Sequence, residues 1–136
     1  CLQLIESHGT VVRQHQEYRR LIDNETYKLK SDLSRWSRDQ EFHLDNQERV
    51  LKQRERELNL KVRRGEESVM SYDRLSLQLA LSSHENQKIE HVSLRERRAH
   101  EIERWKEQMA SQNNSLFYQS ANLIEQQFAS LKTGTL

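Results

Sequence analysis

The chain has 136 residues, of which 32% are charged and 34% belong to the hydrophobic set, and its net charge is +1. That balance leaves too little apolar side chain for a deep globular interior, and it provides no global field to select nucleic acid or an anionic membrane. No apolar run approaches the roughly 18 residues that a membrane-crossing helix needs, and no stretch has the form of a signal peptide.

Residues 1–9 form a short apolar lead, with Leu2, Leu4 and Ile5, that ends at Gly9. Cys1 stands where a methionine would begin a chain. The plainer reading is a fragment boundary; the alternative is a processed, lipid-modified N-terminus of a periplasmic component. A single cysteine forms no internal disulfide and fits a reducing, cytoplasmic setting.

Thr10 is a candidate cap for a helix running to Arg64. This stretch contains neither proline nor glycine. Its inward candidates are Leu29, Leu33, Trp36, Gln40, Leu44, Gln47, Leu51, Glu55, Leu58 and Val62, which cover 33 residues in nine steps of four and three. The mean step, about 3.67 residues, is that of a nearly straight or slightly right-handed pairing rather than a left-handed heptad coil. Val12, His15, Tyr18 and Ile22 extend the face upstream. Because Gln40, Gln47 and Glu55 interrupt it, the stripe is thin, and a helix with such a stripe needs a partner. Trp36 is a seam residue by position, with a protein hot spot as the alternative.

Charge on this helix is arranged in acid-to-base pairs four apart: Asp45–Arg49, Glu48–Lys52 and Glu57–Lys61. Each such pair supports a helix by about 0.2–0.5 kcal/mol. Between Arg49 and Arg64 there are seven basic and two acidic residues. Arg49, Lys52, Arg56 and Arg63 fall within about one sixth of the circumference. A row of this kind can track phosphates. No aromatic is interleaved to stack on bases, so a solvated face is the plainer reading.

Gly65, preceded by Arg63 and Arg64 and followed by Glu66 and Glu67, has the composition of a helix end and a new start. A short turn there returns the next helix antiparallel. In residues 69–81, Leu75, Leu77, Leu79 and Leu81 alternate at strand period, but a lone strand has no partner, and helix is the reading. Ser82 and Glu85 match a capping box, so the returning helix is expected to restart near Ser83. Beyond it the apolar stripe is Ile89, Val92, Ala99, Ile102, Trp105 and Met109. Trp105, like Trp36, is either core or a partner contact.

After Glu107 the only charged side chains are Glu125 and Lys132. Asn113, Asn114 and Ser115 have the look of a break and a cap. Phe117, Ala121, Ile124, Phe128 and Leu131 then make the best apolar stripe in the chain, widened by Leu116 and Leu123. Lys132 and Gly134 close it.

No motif carries chemistry. The sequence lacks a phosphate-cradling glycine loop, a nucleophile elbow and a His-Glu-x-x-His. His84 and His91 share a helix face, but no Glu-x-x-His occurs for a di-metal site, and exposed histidines on a polar helix are the reading. Neither a metal, a cofactor nor a catalytic residue is assigned. The expected architecture is all-α: an elongated antiparallel helical hairpin, or coiled coil, with a shorter C-terminal helix. It forms one domain, with helices over about 10–64, 67–112 and 115–132. The expected function is non-enzymatic: a coiled-coil spacer, adaptor or scaffold that binds protein partners through helix surfaces and self-associates, as a dimer. Phe117, Ile124, Phe128, Leu131, Trp36 and Trp105 are its candidate partner contacts. A nucleic-acid-associated role through the four basic residues is the alternative.

Overall fold

The computed structural model describes residues 2–65 and 67–134, with the backbone alone over 67–71. Cys1, on which the lipid-anchor alternative rests, lies outside the described residues, as does Glu66. Two helices account for nearly all of the rest: α1 (Leu2–Arg63) and α2 (Glu67–Lys132). They pack against each other as an all-α hairpin. Gly65 sits in the turn with φ of 80°. Its amide donates to the Val62 carbonyl, and the Arg64 amide donates to Leu60 and Lys61, so three of the carbonyls in the last turn of α1 are satisfied. At the far end the Thr133 amide donates to Ala129, the Gly134 amide donates to Leu131, and Gly134 has φ of 73°. Among the described residues, no helix is long and apolar enough to cross a membrane.

Three expected helix boundaries are absent. α1 begins at Leu2 and runs through Gly9. Thr10 does not cap; its hydroxyl donates back to the Glu6 carbonyl at 2.9 Å, which leaves the helix intact. α2 passes through Ser82–Glu85 without restarting, because the packed row of Leu77, Leu81 and His84 continues across that point. A cap is worth only about 1 kcal/mol against such packing. The C-terminal segment is helical as expected but continuous with α2, for a reason that lies in the two asparagines described below.

The helix pairing divides into two compact units: Cys1–Ser31 with His100–Leu136, and Asp32–Ala99. In the second unit Ser37 meets His91, Gln47 meets His84, and Leu51 and Leu58 cluster with Leu77. Numbers rise on one helix as they fall on the other, so the strands of the hairpin are antiparallel there. In the first unit the same sense holds: His15 meets Asn114 and Lys30 meets Glu103.

The α1 seam is largely as its spacing implies. Leu51 and Leu58 are buried, and Leu29, Leu33, Trp36, Leu44 and Val62 are half-buried; Gln40, Gln47 and Glu55 face solvent, as does Tyr18 upstream. On α2 the four alternating leucines resolve by helical geometry. Leu77 and Leu81, four apart, turn inward, while Leu75 and Leu79, also four apart, turn out. That rotation corrects the stripe expected next. Ile89 is 59% exposed and Val92 is also exposed. Ile89 lies two residues before the buried His91, about 200° around the helix, on its far side. The helix is a stiff cylinder, and the face that Leu77 seats against Leu51 and Leu58 carries His84 and His91 with it. Burying a leucine contributes about 1.5–3 kcal/mol, and no isoleucine further along matches three leucines clustered together.

The two described extremes of glycine use give opposite expectations. At Gly65 a Cβ meets open space, yet φ is left-handed, so Gly65→Ala should destabilise the chain by about 1 kcal/mol through backbone strain alone. Gly9 is helical, and a Cβ there approaches only the flexible end of Arg13, at 3.6 Å. Gly9→Ala should stabilise by about 0.5–1 kcal/mol. Thermal unfolding of the two variants by circular dichroism, at matched protein concentration, checks both signs.

Candidate functional site

Polar side chains occupy half of the buried positions. Among the described residues the buried apolar side chains are Leu51, Leu58, Leu77 and Ile124, and the buried polar ones are Thr26, Ser37, His84 and His91. The histidines were expected at the surface. They are instead only 7% and 9% exposed, because they fall seven and fourteen residues after Leu77 on the same helix face.

Each histidine is held differently. His91 Nε2 lies 3.2 Å from Ser37 Oγ, and Ser37 Oγ donates to Glu41 Oε1 at 3.3 Å. A hydroxyl has one hydrogen, so the arrangement that satisfies every atom has His91 Nε2–H donating to Ser37, which donates to Glu41. Arg95 donates to the same Glu41 oxygen at 3.4 Å. The His91 ring packs on Trp36 at 5.2 Å, and the Arg98 guanidinium covers the Trp36 ring at 4.3 Å. Trp36 is therefore engaged within its own chain by two residues of α2. His84 is less well served. Its Nδ1 lies 3.3 Å from Gln47 Oε1. A carbonyl oxygen only accepts, so Nδ1 is the donor in this contact. Nε2 is buried and has no partner. Beside it an apolar groove of about 270 Å³ opens, lined by Val50, Leu51, Ala80 and Ser83 among others.

The unit Cys1–Ser31 with His100–Leu136 has its own polar contacts. His15 Nε2 meets Asn114 Oδ1 at 2.9 Å, and Asn113 Nδ2 donates to the His15 carbonyl at 3.0 Å. The asparagines reach across to α1 rather than back to their own backbone, which removes their reason to end a helix. The His15 ring packs on Phe117 at 4.6 Å. Lys30 pairs with Glu103 at 2.7 Å. The hydrogen bond from Lys30, reinforced by its charge, holds the Glu103 carboxyl below the usual carboxylate range. Arg20 does the same to Glu17 within α1, chiefly by hydrogen bonding.

The sequence-predicted contact residues are distributed as follows. Ile124 is buried, and Phe117, Phe128, Trp36 and Trp105 are half-buried. Leu131 is 41% exposed. Leu116 and Leu123, which had only widened the stripe, are each 61% exposed. They sit one residue before Phe117 and Ile124, about 100° around the helix from the row that α1 covers. The basic residues Arg49, Lys52, Arg56 and Arg63 are all exposed on α1. Lys52 pairs with Glu48 at 3.6 Å, as its spacing implies, whereas Arg49 turns to Asn46 rather than to Asp45. Arg56 and Arg63 make no ion pair among the described residues. No cluster of three or more potential metal ligands occurs among the described residues.

Comparisons with protein-family models, with curated proteins and with solved structures give no significant match.

The two buried histidines should respond oppositely to replacement. His84→Leu removes an unpartnered buried nitrogen and frees Gln47, which is exposed, to water; it should stabilise by about 1 kcal/mol. His91→Leu takes a partner from buried Ser37 and a ring from Trp36, and should destabilise by about 1 kcal/mol. Denaturant midpoints of the two variants, measured at one protein concentration, test the contrast.

Proposed function

We propose that this chain is a non-enzymatic interaction protein: a helical hairpin that serves as a spacer, adaptor or scaffold by offering helix faces to protein partners, another copy of itself included. The observation that carries this reading is the imbalance of apolar side chains. Four are buried among the described residues, while seventeen large hydrophobics, from Leu2 to Leu131, stay exposed. The chain exposes 10847 Å² for 16.4 kDa, against about 7,500 Å² for a monomeric globule of that mass. Apolar groups left in water at this density mark surfaces that bind other surfaces. The buried polar side chains are taken up by local contacts, apart from His84 Nε2: Ser37 meets His91 and His84 meets Gln47 across the helix pair, and the Thr26 hydroxyl donates to the Ile22 carbonyl.

A second reading uses the basic row. Arg56 and Arg63 stand on one exposed face without ion pairs among the described residues, so their charge is available to phosphates. Arg49 and Lys52 share that face but are partly engaged by Asn46 and Glu48.

Two measurements separate these readings. Light scattering across a wide concentration range, with hydrogen exchange on the same samples, should show mass and amide protection in both helices rising together. A monomer at every concentration, protected to the level of its global stability, would defeat the interaction reading. For the basic row, oligonucleotide binding by the purified chain should fall with salt at a log–log slope of about −3 to −4, the value for four phosphate contacts. Binding should disappear when Arg49, Lys52, Arg56 and Arg63 are all changed to glutamine; binding that ignores both changes removes the second reading.

A further inference from the structure

A helix with one neighbour needs one apolar stripe. In the unit Cys1–Ser31 with His100–Leu136, α2 has two. The first, Phe117, Ala121, Ile124 and Phe128, is buried or half-buried. The second lies about 100° away and comprises Met109, Leu116, Ser120 and Leu123, at spacings of seven, four and three. Two adjacent stripes at this angle belong to a helix with two neighbours, as in a four-helix bundle. The hairpin supplies only one of them. Met109 and Ser120, at the edge nearer the covered row, are half-buried, whereas Leu116 and Leu123 are each 61% exposed, so the described chain leaves the outer part of the second stripe uncovered.

We propose that the second neighbour is α2 of another copy of this chain, docked antiparallel about a two-fold axis near Gln119–Ser120. Leu116 of one copy then packs on Leu123 of the other, and the reverse. This inference rests on the interaction reading above and deepens it by naming the face and the occupant.

Three features favour a second copy over a foreign partner. The spacing of four and three is the left-handed pairing period, so two identical stripes interlock without distortion. The stripe is flanked on its outer side by Gln112, Gln119 and Gln126, spaced by seven and all exposed. A two-fold axis near Gln119 sets Gln112 beside Gln126 of the other copy and Gln119 beside itself. Each amide carries both donors and an acceptor, so the row is complementary to its own reverse. Heterotypic helix pairs are selected by charges flanking the seam, and here there are none to select or reject. From Gln108 to Leu131 the single charged residue is Glu125, and it lies two residues, about 200°, from Leu123. Ser120 at the axis is small enough for close approach. Area is ample: the chain exposes about 3,300 Å² beyond a monomeric globule, and a standard stable interface takes about 800 Å² from each partner.

The test is sedimentation equilibrium on the full chain, the doubly substituted Leu116→Glu/Leu123→Glu chain, and Tyr118→Glu. Tyr118 is exposed on the opposite side of α2 in the same unit and serves as the control. Both leucines are exposed, so the double variant should keep the wild-type helical circular dichroism. The wild type and Tyr118→Glu should dimerise alike, and the double variant should bind itself at least about a hundredfold more weakly. Orientation is read by cysteine trapping in a Cys1→Ser background. A mixture of Leu116→Cys and Leu123→Cys chains should cross-link, whereas Leu116→Cys alone should not. A wild-type dimer that survives the double substitution overturns this face but leaves the interaction reading standing. A wild type that stays monomeric overturns the dimer altogether, and self-cross-linking of Leu116→Cys overturns the antiparallel docking.

Discussion

In the unit Asp32–Ala99, sliding α2 along α1 by one heptad would exchange leucine for leucine, since Leu44, Leu51 and Leu58 recur every seven residues. The same slide would part His91 from Ser37, His84 from Gln47 and Arg95 from Glu41. Apolar contact between two regular stripes is nearly indifferent to such a shift; directional polar contact is not. The register of the pair therefore depends on buried polar side chains, and the leucines supply attraction without choosing the alignment. The unit Cys1–Ser31 with His100–Leu136 also has directional polar contacts between its helices, at more exposed positions: the His15 side chain and carbonyl take both asparagines of α2, and Lys30 takes Glu103.

Alignment of this kind has a cost. A buried imidazole with one bare nitrogen, as at His84, gives less stability than a leucine in the same place. A seam that spends half its buried positions on polar groups cannot also be strongly cohesive. The pairing is specific rather than tight, and the apolar side chains it leaves outside are the resource on which the proposed interactions draw. That is the physical link between the hairpin's interior and its surface: residues that are not needed to hold α1 to α2 remain available for something else.

Several features were legible because they follow from local rules. The absence of proline, the glycine at 65 and the four-and-three spacing of Leu29 to Val62 each act within a turn or two of helix; the structure has the helix, the turn and the apolar members of that seam as read, while its polar members Gln40, Gln47 and Glu55 face solvent. Other features were misread because a local signal was weighed without its partner. Thr10, Ser82 and Asn113 all carry the composition of helix ends, yet each sits inside a helix. Their side chains found other acceptors or no capping role, and packing carried the helix through. His84 and His91 gave one usable signal, their positions seven and fourteen residues after Leu77. That spacing identifies a shared face but does not say that the face is inward. Leu116 and Leu123 were visible as a widening of the tail stripe, but their separation from the covered row needed the position of α1.

What the amino-acid sequence determines by itself is the helical character of the chain, the site of its reversal and the thinness of its apolar stripes. These are set by propensity, backbone freedom and periodicity, which are properties of neighbours along the chain. The tertiary structure alone decides which side of α2 turns inward, which histidines are buried and which leucines are left to solvent. Those outcomes depend on how one stiff cylinder is rotated against another. The rotation is chosen by contacts between residues such as Leu51 and Leu77, or Ser37 and His91, that are far apart in the chain and share no local pattern.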